Sequence, residues 1–377
     1  MNIITDADLV VALEECKGNK ALVAKKLNLN LRTVQRRVDR LTARGYTPQY
    51  GLSRAAAEGQ VVGGVSTLYD DEGNVKLQWV KAKSEKSADH LVEEVVRELA
   101  TPIKGLAKPI AAPKACITNS MSAYIIGDAH FGMYAWGEET GADFDTNIAS
   151  RDLRAALDHL VDTAPVSEHG VLVDVGDFLH ADNRSNVTPG SGHLLDVDTR
   201  FRRVCFIAVE ALRYCVGRML QKHKTVRLII AQGNHNPDSA GWMAICMKLY
   251  YENEPRVTVD MTPGKFHYFE FGNVLIGVTH GDRLKIADLP SIMAADRPAM
   301  WGQAKHRYWW TGHIHHTKHQ EYRGCTVEAF NTLAASDAWH SASGYRSMRQ
   351  MQRIDLDKCH GIYSRAIFNL GMLNERE

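Results

Sequence analysis

Five short apolar runs in this chain each end on residues able to bind a cation or carry a proton. In order they are YIIGDAH, VLVDVGD, VRLIIAQGNH, NVLIGVTHGD and YWWTGH. They close on Asp128-Ala129-His130, Gly176-Asp177, Gly233-Asn234-His235, His280-Gly281 and Gly312-His313-Ile314-His315. Short apolar runs rich in β-branched and aromatic residues, bounded by glycine, read as strands. FHYFEF adds one more strand, and SRDLRAALDHLVD and RFRRVCFIAVEALRYCVGRMLQKH are helical patterns between them. Such alternation makes an α/β domain, here of about 250 residues. In α/β folds the strands end at a common edge, so residues just past several strands converge in space. Taken singly, each of these polar residues is an ordinary turn residue. The ordered set is what constrains the chain.

The length of 377 residues exceeds one ordinary core, so two or three domains are expected. With 45% hydrophobic and 24% charged residues, the composition excludes a disordered or collagen-like chain. No apolar run approaches the ~18–20 residues that a membrane helix needs. The start, MNIITDADLV, has acids where a secretory signal has a basic region. The seven cysteines are scattered, odd in number and without a CxxC pair, which excludes a disulfide frame and a thiolate zinc site. The cytoplasm is the expected compartment. The net charge of +1 calls for neither nucleic acid nor lipid, but it averages over a strong local bias.

That bias lies in residues 1–46. ADLVVALEEC, KALVAKKL and RTVQRRVDRLTAR read as three short amphipathic helices, broken at Gly18-Asn19 and turned at Asn28-Leu29-Asn30. Leu29, Val34, Val38 and Leu41 share one face, and Asn30 is placed to cap the third helix. Between Lys17 and Arg44 there are nine Lys or Arg against one acid, Asp39. With core positions removed, Arg32, Thr33, Gln35, Arg36 and Arg40 remain outside on the third helix. Arg and Gln at the start of such a helix can reach base edges while the others meet phosphates. The stretch GNKALVAKKLNLNLRTVQRRVDRL resembles a Fis-like helix-turn-helix, which implies DNA as a partner.

Residues 47–120 carry a β-hairpin (GVSTLY, DDEGN, VKLQWVK), in which Trp79 is expected to anchor the hairpin to a helix. The amphipathic helix SADHLVEEVVRELA follows, then a linker containing Pro102, Pro109 and Pro113. The third domain is expected over 121–377. No chemistry is legible in 47–120.

Seven oxygen and nitrogen ligands without thiolate suit two divalent ions, Mn²⁺ first, with Fe²⁺ or Zn²⁺ as alternatives. Two such ions against two carboxylates and a hydroxide leave roughly one net positive charge, which attracts a phosphate ester. The order DxH, GD, GNH, H and GHxH resembles the calcineurin-like metallophosphoesterase superfamily, over about Met121 to Leu370. The resemblance implies a four-layer αββα sandwich, two β-sheets flanked by helices. Carried over by position, Asp128, His130 and His315 would bind one metal. Asn234, His280 and His313 would bind the other, with Asp177 bridging. His235 would be the acid that protonates the leaving oxygen, not a ligand. That family usually has Asp after GNH, an outer partner that orients the His; Asn236 stands here.

The superfamily includes protein phosphatases, nucleotide phosphodiesterases and DNA nucleases, so the fold does not choose a substrate. GDFLHADN resembles the stretch of SbcD-type nucleases that reads GDLFH-x-N, and implies that His180, and more weakly Arg184, position the substrate. Those nucleases carry a capping domain and an ATPase-docking segment after the core. Here the chain ends within about 60 residues of GHIHH, so no such ATPase partner is expected. A helix-turn-helix ahead of a phosphoesterase resembles proteins encoded by bacteriophages and prophages. The leading expectation is a two-metal phosphodiesterase acting on DNA. The alternatives are a phosphatase or cyclic-nucleotide phosphodiesterase with a localising N-terminal unit, and a DNA-binding regulator with a silent catalytic domain. Trp309 and Trp310 are expected in the core, and His316 and His319 as spare loop histidines. The oligomeric state is left open.

Overall fold

The computed structural model describes residues 4–16, 18–43, 60–69, 75–84, 103–344 and 346–373. It divides into two compact units, Met1–Leu91 and Val92–Glu377. The helix read over 87–100 and the DDEGN turn lie outside the described residues.

In the first unit, α1 (Asp6–Glu15), α2 (Lys20–Lys26) and α3 (Leu31–Ala43) form a three-helix cluster. A capping box closes the start of α1, where Thr5 accepts from Asp8 N and the Asp8 carboxylate accepts from Thr5 N. Asn19 caps α2 through Ala21 N and Leu22 N, and Asn30 caps α3 through Arg32 N at 2.9 Å; such caps contribute about 1 kcal/mol each. Leu9, Leu13, Val23, Val34, Val38 and Leu41 are buried together, with Leu29 packed against them. Strands β1 (Gln60–Tyr69) and β2 (Val75–Ser84) pair antiparallel. Trp79 on β2 is 57% exposed, so its ring is not the buried anchor expected of it.

The second unit holds two mixed sheets. The six-stranded sheet has the order β13-β12-β3-β4-β5-β6. Its strands are β3 (Ile117–Ile126), β4 (Ser167–Asp174), β5 (Thr225–Ile230), β6 (Val257–Val259), β12 (Gln350–Asp357) and β13 (Gly361–Asn369). β3 through β6 run parallel, and β12 and β13 close one edge antiparallel. The five-stranded sheet has the order β10-β11-β9-β8-β7. It comprises β7 (His267–Phe271), β8 (Val274–Val278), β9 (His306–Thr311), β10 (Lys318–Tyr322) and β11 (Cys325–Ala329).

Alternation along the strands explains the layers, because successive side chains point to opposite faces. Ile125, Val171, Val173 and Ile229 of one sheet meet Ile276, Val278, Trp310 and Phe330 between the sheets. Tyr124, Ile126, Leu172 and Leu228 face the other way, onto α4 (Thr146–Asp162), α5 (Phe201–Lys222) and α6 (Ser239–Tyr250). On the outer face of the second sheet, Leu275, Trp309 and Val327 pack against Leu289 and Met293 of α7 (Leu289–Asp296). The result is the four-layer αββα sandwich. Adjacent Trp309 and Trp310 are both buried, one on each face of β9, and the Trp309 indole N–H donates to Leu289 O at 2.8 Å.

The proline-containing segment ahead of β3 lies along this unit. Ile103, Ala107 and Ile110 pack against its helices, and Gly105 N donates to Leu249 O at 2.8 Å. Among the described residues no helix is long and apolar enough to cross a membrane.

Candidate metal centre

The ends of β3, β4, β5, β8 and β9 bring the five motif loops together. Three clusters of potential ligand atoms result, Asp128/His130/His315, Asp177/His280/His313 and His130/His180/His235, the atoms of each lying within 4.8 Å of one another. Asp128, His130, Asp177 and His280 are buried, while Asn234, His235, His313 and His315 reach the surface.

The backbone is bent to make this convergence. Among the described residues, Asp128 (+36°), His130 (+45°), Asp177 (+54°), His313 (+71°) and His315 (+57°) all have positive φ. Side-chain-bearing residues pay on the order of 1 kcal/mol each for that region, so neighbouring bonds must hold it. They do. His130 N donates to Asp177 O at 3.0 Å, His313 N to the Asp128 carboxylate at 3.1 Å, and Thr332 Oγ1 to Asp128 O at 2.8 Å. The motif glycines serve close approach. A Cβ on Gly233 would fall 1.9 Å from Asp177 Oδ1, and one on Gly312 would fall 2.6 Å from Asp128 Oδ2.

The tautomers show which nitrogens are free. His280 Nδ1 lies 3.0 Å from Val175 O, a carbonyl that can only accept, so Nδ1 carries the proton. In neutral His280 the Nε2 lone pair then faces Asp177 Oδ2 at 3.0 Å and Asn234 Oδ1 at 3.1 Å. With Nε2 unprotonated three acceptors would face one another, so this position takes either a proton or a cation. On the other side, His130 Nδ1 meets His180 Nδ1 at 3.2 Å, a hydrogen bond between rings. His130 Nε2 lies 3.2 Å from His315 Nε2, and His315 Nε2 lies 3.3 Å from Asp128 Oδ1. Two nitrogens and a carboxylate converge there too. Of the two sets that His130 could join, Asp128/His130/His315 is the one that includes a carboxylate.

The electrostatics follow the same division. Burial opposes an imidazolium at His280, yet the adjacent Asp177 carboxylate outweighs it and holds the group up at about 10. His315 is raised likewise, burial being outweighed by Asp128. His130 is held well below its usual value by burial and by the His235 and His315 rings around it. Burial, with His235 beside it, takes His180 down to about 3. Burial and the neighbouring His280 lower His313. Without a cation the protein must seat protons at His280 and His315, the two positions facing carboxylates.

His235 is set apart from the ligand sets by its bonds. Its Nδ1–H donates to His180 O at 2.8 Å, leaving Nε2 free, and its backbone N–H donates to Asp177 Oδ1 at 2.8 Å. Asn236 does not orient the His235 ring. It is fully buried, and its Oδ1 accepts from Asp177 N at 3.1 Å and Gly233 N at 3.2 Å, tying two motif loops together.

A cleft of about 630 Å³ opens over Asp177, Asn234, His235, His313 and His315. His180 is buried with its ring against His130 and His235, and is not on the cleft wall. Arg184 is exposed and is likewise not on it. His316 and His319 are exposed, with His319 Nδ1 3.7 Å from Glu328. In the first unit Arg32, Gln35, Arg36 and Arg40 are exposed and Thr33 is half-buried, while Arg37 is paired with Asp6.

Sequence reasoning missed part of the cleft wall. Asp337, Trp339 and His340, around the short helix α8 (Ala338–Ala342), and the hairpin carrying Ser191, His193 and Leu194 line it. The only trace in sequence is a Trp-His pair after an Asp at a helix start; nothing in its spacing relates it to the motif loops.

Residues 9–41 match the family model described as the bacterial regulatory protein, Fis family, helix-turn-helix. No curated protein matches the chain significantly. Among solved structures, the chain is similar to a novel archaeal phosphodiesterase, at 13% identity over 66% of this chain and 100% of that one, with a TM-score of 0.34. It is similar to a conserved uncharacterised protein of Streptococcus pneumoniae TIGR4, titled a predicted phosphoesterase, at 12% identity over 67% and 99%, TM-score 0.28. A third is zinc-complexed wild-type Vps29 of Entamoeba histolytica, at 11% identity over 66% and 99%, TM-score 0.29.

Proposed function

We propose that this chain is a two-metal-dependent phosphodiesterase that acts on DNA and is brought to it by its N-terminal helix-turn-helix. The observation that carries the reading is the pair of ligand sets in one cleft, Asp128/His130/His315 and Asp177/His280/His313, with Asn234 completing the second. Asp177 belongs to both halves. Its carboxylate faces His280, and its backbone oxygen accepts from His130 N at 3.0 Å. Carboxylates and imidazoles converging in this way suit two divalent cations, which when bound would displace the protons at His280 and His315, offset charge at a phosphate and acidify a water.

The chain's own residues do the rest. Asn236 and Gly233 hold Asp177 against the GNH loop, so the two ligand sets keep one spacing. His235, fixed by the His180 carbonyl, presents Nε2 to the cleft. As an imidazolium it donates its proton to the oxygen that leaves phosphorus, a contribution on the order of 10²–10⁴ in rate. His180 acts from behind, orienting His235 through its carbonyl and His130 through its ring.

The DNA assignment is supported by the Fis-family match and by the exposed basic face of α3. There Arg and Gln at the helix start, Arg32 and Gln35, would read base edges, and Thr33, Arg36 and Arg40 would meet phosphates. The domain division this implies is 1–46 for DNA binding, 47–120 connecting and 121–377 for catalysis.

The test is hydrolysis with added Mn²⁺, wild type beside His235→Ala. Substrates are labelled single- and double-stranded DNA, bis-4-nitrophenyl phosphate and 4-nitrophenyl phosphate. Cleavage of DNA and the diester, lost in the variant, is the expected result. Activity confined to the monoester would make the protein a phosphatase and overturn the DNA reading.

A further inference from the structure

The mouth of the cleft carries groups that neither ligand set needs. Trp339 on α8 is 63% exposed and Leu194 is 88% exposed, and both line the cleft that reaches Asp177, His235 and His315. Isolated exposed apolar side chains are ordinary. Two of them on the wall of one metal-binding cleft, both on firmly anchored segments, are not.

The anchoring is visible for each. Asp337 caps α8 by accepting from His340 N at 2.7 Å, and the His340 ring stacks on His315 at 4.7 Å and 20°. Trp339 therefore stands one residue from a ring that rests on the ligand set. The loop bearing Leu194 is a tight hairpin with a Val187–Leu194 bridge. Inside it Thr188 is buried, and its hydroxyl accepts from His193 N at 2.9 Å. At the hairpin tip the Arg283 guanidinium approaches so closely that a Cβ on Gly190 would lie 3.2 Å from its Nη2. That side chain is 69% exposed, but its Nε pairs with Asp282 Oδ2 at 3.3 Å and it is not on the cleft wall.

An aromatic face and an apolar edge on the wall of this cleft match one ligand chemistry, a nucleobase. The cleft volume of about 630 Å³ exceeds what a phosphate alone fills and suits a nucleotide. We infer that Trp339 is a stacking platform for the nucleobase next to the scissile phosphodiester, with Leu194 flanking that base. This rests on the phosphodiesterase reading and narrows it, because base–aromatic stacking is strong yet tolerant of sequence. Cutting would then be independent of the base, and target choice would fall to the helix-turn-helix.

The experiment compares two diesters that share a leaving group, thymidine 5′-(4-nitrophenyl phosphate) and methyl 4-nitrophenyl phosphate, with Mn²⁺. Because the nitrophenyl group is common to both, the ratio of kcat/KM values reads the thymidine alone. Wild type is expected to favour the thymidine ester by roughly tenfold, with the difference in KM. Trp339→Ala should bring the ratio close to one, and Trp339→Phe should retain most of the preference. Equal use of both esters by wild type, or a preference that survives Trp339→Ala, overturns the stacking role while leaving the diesterase standing. Failure of wild type to hydrolyse either ester overturns the underlying reading, and the inference with it.

Discussion

The two units of this chain use polar residues in opposite ways. In the three-helix unit a small apolar core is inside, all the described cations but the paired Arg37 face outward, and the only positive φ at a non-glycine residue among its described positions is Asn28 in the turn. In the sandwich the chemistry is inside. Asp128, His130, Asp177 and His280 are buried, three of them at positive φ, with imidazole facing carboxylate. A surface built on an ordinary helix can lose side chains without disturbing the fold beneath it. A centre built on strained loops depends on each neighbour, so substitutions there should cost more and spread further.

The largest effect should come from Asp177→Ala. It removes the carboxylate that faces His280 and receives His235 N–H. Hydrolysis of every phosphodiester should fall by about a thousandfold or more. On the two-metal reading Mn²⁺ should raise the Tm of the wild type by binding the folded protein, and that rise should vanish in the variant. Residual activity above about a tenth would refute a shared role for this carboxylate.

Gly233→Ala comes next, because it adds a single methyl with nowhere to go. The Cβ would sit 1.9 Å from Asp177 Oδ1 and 2.5 Å from Asp177 N, so the GNH and GD loops must separate. A loss of about a hundredfold in kcat/KM is expected, consistent with roughly 1 Å displacements at reacting groups. Gly241 in α6 is the control, since a Cβ there meets nothing within 4 Å. Alanine at that site should leave activity intact and raise Tm by about 2 °C through helix propensity. Equal behaviour of the two variants would show that the loops are not tightly coupled.

What could be read in advance follows the same division. The helix period of RTVQRRVDRL separates Val34, Val38 and Leu41 from Arg32, Gln35, Arg36 and Arg40, because one element suffices to define its own faces. The residues that converge in the sandwich were legible for a different reason: each follows an apolar run, and strand ends share an edge. Strand alternation puts Trp309 and Trp310 on opposite faces of β9, and both are buried because that sheet is covered on both sides. The supports around the site did not show. His180 O is a backbone atom and has no sequence signature. Asn236 binds Asp177, 59 positions away, through tertiary placement alone. Helix α8 is five residues long, too short for a period, and it reaches the cleft only because His340 stacks on His315.

On the exposed side of the comparison, Arg36→Ala with Arg40→Ala should weaken DNA binding by roughly tenfold at low salt. The slope of log affinity against log salt should drop by about two, near 0.9 for each lost phosphate contact. Anisotropy titrations at several salt concentrations measure both, and unchanged affinity and slope would remove α3 from the DNA interface. Arg37→Ala sharpens the contrast. Its guanidinium pairs with Asp6 and donates to Ile4 O at 3.1 Å, so its loss should lower the unit's stability more than its salt slope.

The smallest effect should come from Asn236→Asp. If residue 236 oriented His235, a carboxylate there would strengthen that orientation and raise the rate severalfold. The geometry says otherwise, because the His235 ring answers to His180 O, and Asn236 serves two backbone N–H groups through one oxygen. An aspartate supplies that oxygen equally well. Its second oxygen replaces Nδ2, a buried donor with no partner, and burial favours the neutral acid there. A change of less than about threefold in kcat/KM is therefore expected, with the pH profile of kcat unshifted. A rise of tenfold or more, with a shifted acid limb, would return the positioning of His235 to residue 236. Asn236→Leu separates the two roles further. It removes the acceptor and leaves Gly233 N and Asp177 N unpaired at about 1–3 kcal/mol each, so its loss of activity should come with a lower Tm.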